Sequence, residues 1–156
     1  IEYGDLCLDT NDNLQLRIRN YAYLSPGKIA PDFVATDIKN ETIILSELNS
    51  EIIILFFWAS WCEHCKAEIK KLENLFMNYS SKEIKLIGIS LDYEEAELLN
   101  YLKKVNLDWT VIADYKAWDG NIIKDYAVYA TPSIIILDKT VVLLVNQIML
   151  KVLRII

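Results

Sequence analysis

The chain has 156 residues, 53% of them hydrophobic and 24% charged, with a formal net charge of −6. That length predicts one domain, and an acidic chain without a basic run makes a poor partner for nucleic acid. No apolar run reaches the roughly 18 residues of a membrane-spanning helix, and three cysteines point to a single pair with Cys7 left over rather than to a disulfide scaffold.

Residue 1 is Ile rather than Met, as in a processed or trimmed chain, and no signal peptide is visible. Residues 1–29 read as an extension laid against the main unit. Leu14, Leu16 and Ile18 alternate with Gln15 and Arg17 as in a short edge strand, and Ser25-Pro26-Gly27 signals a turn. Cys7 has no base or partner cysteine near it in sequence and reads as inert.

From residue 30 the pattern is regular. Ala30-Pro31-Asp32-Phe33 opens an extended piece, Thr42–Leu45 reads as a brief strand, and Ser46-Glu47-Leu48 as a capped helical turn. Ile52–Phe57 is apolar at every position, the signature of a central strand covered on both faces. A helical pattern then runs to about Tyr79, with Leu72, Leu75, Phe76 and Tyr79 at spacings of three and four. A second core strand is predicted at Lys85–Leu91, a helix at Glu94–Val105 and a strand at Trp109–Ala113. Helix Trp118–Ala127, strands Ser133–Leu137 and Val141–Val145, and a last helix over Gln147–Ile156 complete the chain. The alternation predicts an α/β fold, a central sheet flanked by helices with right-handed crossovers.

The chemistry concentrates where the first core strand ends. Cys62 and Cys65, separated by Glu63 and His64, stand at a strand-to-helix junction. Free backbone N–H groups and the positive end of the helix dipole favour a thiolate there, and Cys65 is close enough to close a small disulfide ring with Cys62. His64, when charged, favours the Cys62 thiolate and a more oxidising pair, and Glu63 opposes it. A zinc site needs about four ligands, and only Cys7 is available to join the pair, so no metal is assigned.

Five segments resemble the extracytoplasmic thiol-disulfide oxidoreductases of the TlpA/ResA group, which have a thioredoxin-like fold. They are Ala30–Phe33, Leu45–Leu48, Phe57–Cys65, Gly88–Asp92 and Tyr129–Pro132. The resemblance implies a mixed β-sheet flanked by helices over residues 30–156. It implies dithiol–disulfide exchange without a cofactor, on protein disulfide or dithiol substrates, with an upstream thiol electron donor. It implies a bacterial periplasm or cell envelope as the location, and leaves room for a membrane anchor outside this chain. Cys62 is the implied nucleophile and Cys65 the residue that resolves the mixed disulfide. Pro132 is implied to be cis and to face the pair, in a loop whose Thr131 backbone pairs with an extended substrate segment. Trp61 is placed to shape the site and meet substrate. Glu68, three residues after Cys65, matches a glutamate that assists the redox chemistry in that group and stands one helical turn from the inner sulfur.

Two other readings carry different expectations. A redox-inert interaction module would not need both cysteines. A peroxiredoxin-like peroxidase carries Thr or Ser three residues before its reactive cysteine, where this chain has Ala59. The chain departs from the resembled group after Asp138. Lys139-Thr140 leads straight into Val141–Val145 with no glycine to support the turn. The segment beyond is unusually apolar, with only Lys151 and Arg154 charged, and is expected to bury against the sheet or another chain.

Overall fold

The computed structural model describes residues 22–76, 79–80, 82–105 and 107–146. Cys7, the expected strand at residues 14–18 and the expected last helix at residues 147–156 lie outside them. The architecture is a five-stranded mixed sheet with helices between its strands, and a two-stranded ribbon beside it. The ribbon comprises β1 (Val34–Thr36) and β2 (Thr42–Ile44). The main sheet comprises β3 (Ile52–Trp58), β4 (Ile84–Ser90), β5 (Thr110–Ala113), β6 (Ser133–Asp138) and β7 (Leu143–Asn146), in the order β5-β4-β3-β6-β7. Helices α1 (Glu63–Phe76), α2 (Glu95–Leu102) and α3 (Asn121–Asp125) connect them. No helix among the described residues is long and apolar enough to cross a membrane.

Strand β3 is the centre. It runs parallel to β4 and antiparallel to β6, and its residues from Ile53 to Trp58 are all buried. Each such apolar side chain contributes roughly 1.5–3 kcal/mol on burial, which is why an unbroken apolar run occupies this position. Helix α1 buries Cys65, Ile69 and Leu72, positions four and three apart that share one helix face. Its described residues run to Phe76, and Tyr79, expected within the helix, lies in a bend and is 48% exposed. A turn competes for the chain there. Ser80 donates from its N–H and hydroxyl to the Glu83 carboxylate at 2.9 and 2.7 Å, and the Glu83 and Ile84 N–H groups donate back to the Ser80 carbonyl. The helix expected over Trp118–Ala127 is split at Gly120, which is extended (φ −60°, ψ 141°), into a 3-10 turn at Ala117–Asp119 and α3.

Residues 24–30 pack against the end of the sheet. Leu24 is buried, the Gly27 N–H donates to the Leu143 carbonyl and the Leu143 N–H to the Lys28 carbonyl. The glycine-free turn between β6 and β7 is explained by Asp138. Its carboxylate accepts from the Thr140 N–H and hydroxyl at 2.8 and 2.7 Å and from the Val142 N–H at 3.0 Å. Those bonds hold Val141 at φ 55°, a left-handed conformation that a β-branched residue rarely adopts. The Thr140 hydroxyl is the main cause that keeps the Asp138 carboxyl below its ordinary range, with the Val142 N–H next.

One glycine on β4 carries a packing requirement. Trp58 lies among Phe56, Tyr101 and Trp109, with ring centroids 5.7–6.5 Å apart. Its indole Nε1 occupies space that a Cβ on Gly88 would enter, at 2.7 Å. The indole is buried on all sides and has no room to retreat, and Gly88 lets it lie flat on the strand. Gly88→Ala is expected to destabilise the fold by about 1–3 kcal/mol through overpacking, read as a lower urea midpoint at unchanged m-value.

Candidate active site

The site begins where β3 runs out. The Cys62 N–H donates to the Ala59 carbonyl at 3.1 Å and closes the turn. Helix α1 starts at Glu63, so Cys62 stands in the N-cap position. Its carbonyl accepts from Cys65 and Lys66, and its Sγ accepts from the Cys65 N–H at 3.2 Å. That last bond is what a serine hydroxyl makes at an N-cap, here made by a sulfur. Cys62 and Cys65 form a disulfide with Cα atoms 5.2 Å apart. Cys65 is fully buried and Cys62 is 7% exposed, so of the two sulfur-bearing residues only Cys62 reaches the surface. In the dithiol state the same N–H groups and the helix dipole favour negative charge on Cys62.

The two residues between the cysteines are exposed. Glu63 forms an ion pair with Lys66, whose ammonium also lies 5.9 Å from the Tyr101 ring centroid. Burial raises the Tyr101 hydroxyl above its ordinary value, and Lys66 works against that rise. The charge of Glu63 is thus engaged by a cation one turn along the helix, a partner that i,i+3 spacing could have indicated.

Glu68 is partly exposed, and its carboxylate accepts from Lys71 Nζ at 2.7 Å. Trp61 is 47% exposed beside the cysteines in sequence. The Thr131–Pro132 peptide is cis and precedes β6, whose Ser133 pairs with Phe57 near the end of β3. Thr131 and Pro132 therefore sit at the same end of the sheet as the cysteine turn, both half-buried. Ser133 anchors this loop by donating from its hydroxyl to the Ala130 carbonyl at 2.6 Å.

Sequence reasoning assigned no role to Asp92, which is completely buried. Its carboxylate accepts from the Ser60 N–H at 3.0 Å, from the Ser60 hydroxyl, and from the Ser90 hydroxyl at 2.6 Å. A buried carboxylate two residues past the end of a core strand was the available signal, since such a group requires partners.

The cysteine turn, the fold around it and the chain's relatives agree. The AhpC/TSA family model matches residues 26–145. The chain belongs to the AhpC/TSA family. Among relatives of this AhpC/TSA chain is the thiol-disulfide oxidoreductase ResA of Bacillus thuringiensis subsp. konkukian, 32% identical over 113 residues, covering 72% of this chain and 64% of the relative. ResA of Bacillus subtilis is 26% identical over 115 residues, covering 74% of this chain and 63% of the relative. The matches thus span less than two thirds of these relatives' length. A solved structure of a thiol-disulfide oxidoreductase from Bacteroides fragilis superposes with a TM-score of 0.66 at 27% identity, covering 83% of this chain and all of that one. The fold is the thioredoxin-like one.

The N-cap role of the sulfur is testable in the dithiol state. Cys62→Ser retains an acceptor for the Cys65 N–H and Cys62→Ala does not. The alanine variant is expected to be less stable than the serine variant by about 1 kcal/mol, measured by urea unfolding of both under reducing conditions.

Proposed function

We propose that this chain is a thiol-disulfide oxidoreductase that reduces or isomerises protein disulfides through Cys62 and Cys65. The observation that carries the reading is the disulfide between these residues at the start of α1, with Cys62 Sγ facing the Cys65 N–H. The Cys62 thiolate attacks one sulfur of a substrate disulfide and expels the other as a thiolate, leaving a mixed disulfide. Cys65 then attacks Cys62 Sγ, which re-forms the internal disulfide and releases the second substrate thiolate. An upstream dithiol donor returns the pair to its reduced state. Trp61, Thr131 and Pro132 form the substrate-facing rim, with the Thr131 backbone pairing an extended substrate segment. His64 tunes the pair through its charge, and Glu63 does so less, because Lys66 engages it. The names of the relatives support protein thiols as partners, and the resemblance to the TlpA/ResA group supports an extracytoplasmic setting in a bacterial envelope.

Insulin reduction with dithiothreitol as donor tests the assignment. The parent should accelerate precipitation, and Cys62→Ser should abolish the acceleration. Cys65→Ser should accumulate the substrate as a mixed disulfide on Cys62, visible as a mass adduct that added reductant removes. Full activity in the Cys62 variant would overturn the choice of nucleophile.

Glu68 is the proposed proton acceptor for Cys65. A buried thiol resists losing its proton because burial disfavours the charged form, so the resolving step needs a base. The ion pair with Lys71 is partly exposed, the kind that contributes little and exchanges readily, so it does not bar the carboxylate from accepting a proton. Glu68→Gln is expected to leave the first attack nearly unchanged. It should slow resolution about 10- to 100-fold at neutral pH, within the usual range of general-base effects. Stopped-flow mixing with a disulfide peptide separates the two steps, and equal resolution rates in variant and parent would return Glu68 to a surface role.

A further inference from the structure

The cluster around Asp92 joins the end of β4 to the turn that delivers Cys62. β3 and β4 pair in parallel with Trp58 opposite Ser90, and the Leu91 N–H donates to the Trp58 carbonyl at 2.7 Å. Two residues further along each chain, Asp92 meets Ser60. Three donors converge on the Asp92 carboxylate: the Ser60 N–H and hydroxyl and the Ser90 hydroxyl. Ser90 Oγ in turn accepts the Asp92 N–H at 3.0 Å. All three groups give hydrogen bonds to the carboxylate, the pattern that an acceptor-only anion takes.

We infer that Asp92 is a positioning residue for Cys62: its hydrogen bonds fix Ser60 and the turn to α1, and its negative charge holds the cysteine pair towards the disulfide. The inference rests on the oxidoreductase reading above. Ser60 precedes Cys62 by two residues, and the turn between them is closed by the Cys62 N–H on the Ala59 carbonyl and by the Asp92 contacts. A fixed anion hydrogen-bonded to Ser60, two residues before Cys62, opposes the charge that the dipole favours on Cys62. A less stable thiolate makes the dithiol form less stable, and so makes the pair more reducing. Of the other charged groups near the cysteines, Glu63 is exposed and paired with Lys66, His64 is exposed, and Glu68 is partly exposed and paired with Lys71. The buried side belongs to Asp92. Its field also reaches Tyr115, whose hydroxyl is raised first by burial and then by Glu95 and Asp92.

The test is equilibration with glutathione at pH 7, in which protein dithiol and oxidised glutathione exchange to give protein disulfide and two reduced glutathione molecules. The dithiol fraction is counted by alkylation and mass spectrometry. Asp92→Asn keeps the shape and an acceptor for the Ser60 N–H but removes the charge. Its equilibrium constant should move about tenfold towards the dithiol, equivalent to 29.6 mV for this two-electron couple. Ser60→Ala keeps the charge but removes one of its hydrogen-bond donors, and should move the equilibrium the other way, towards the disulfide. A purely structural anchor would loosen the turn in both variants and shift both in the same direction. Opposite shifts as stated support the inference, and any other pair of results overturns it. If Asp92→Asn does not fold, Ser60→Ala decides alone: a shift towards the disulfide supports the inference, and no shift or the reverse overturns it. A parent protein that does not exchange with glutathione would remove the oxidoreductase reading and this inference with it, an outcome separate from any difference between variants.

Discussion

The parallel pairing of β3 with β4 is the constraint on which the rest of the molecule depends. Its register sets Trp58 beside Ser90 and Phe56 beside Gly88. The first pairing continues into the Leu91–Trp58 hydrogen bond and brings Asp92 to Ser60. The second puts a residue without a side chain under the Trp58 indole. In a sheet, a slip of one residue turns every side chain to the opposite face. Such a slip would remove the indole from its slot and Asp92 from the cysteine turn together. Packing of the core and geometry of the site are therefore fixed by one ladder.

The edges of the sheet are settled by a different part of the chain. An open strand edge invites pairing with other chains. Here β5 is met by the segment after β1, where the Ile38 N–H donates to the Val111 carbonyl, and β7 is met by residues 27–30. Both come from the stretch before β3. The same stretch is tied to the helical side, since the buried Tyr126 hydroxyl donates to the Pro31 carbonyl at 2.6 Å. Asp32, meanwhile, accepts from the Ser46 hydroxyl and N–H at 2.6 and 3.0 Å. The segment ahead of the central strand thus closes the sheet on both sides.

What the sequence made legible was local or strongly patterned. An apolar run marked β3 because burial on both faces leaves no polar position. The change of period after Cys62 marked α1, and with it the placement of a cysteine at a helix start. Helix ends were less legible, because they are decided by competition from turns: Ser80 with Glu83 after α1, and extended Gly120 within the segment before α3. The turn after β6 was unreadable by the glycine rule, because Asp138 supplies with three hydrogen bonds what a glycine would supply by conformational freedom. Asp92 was hidden for another reason. Its partner Ser60 lies 32 residues away, and only the strand register brings them together. Asp92 is brought to the site by topology, whereas the cysteine pair is specified by a local motif.

That division bears on how the thiolate is controlled. In the proposed site five influences bear on Cys62, and they differ in how far solvent weakens them. Glu63 and His64 are exposed, so their fields are screened, and Glu63 spends its charge on Lys66 as well. The helix N-terminus and the Cys65 N–H act on the sulfur directly, in a place almost closed to water. Asp92 acts from complete burial, where screening is weakest, although three donors offset part of its charge. In the proposed arrangement the balance at Cys62 is set chiefly between two groups that solvent does not reach, a helix end that favours the thiolate and a carboxylate that opposes it. The residues between the cysteines adjust that balance from outside. On the proposed reading, such a site would keep its reactivity from one substrate to the next, because the buried carboxylate and the helix end are both part of the fold itself.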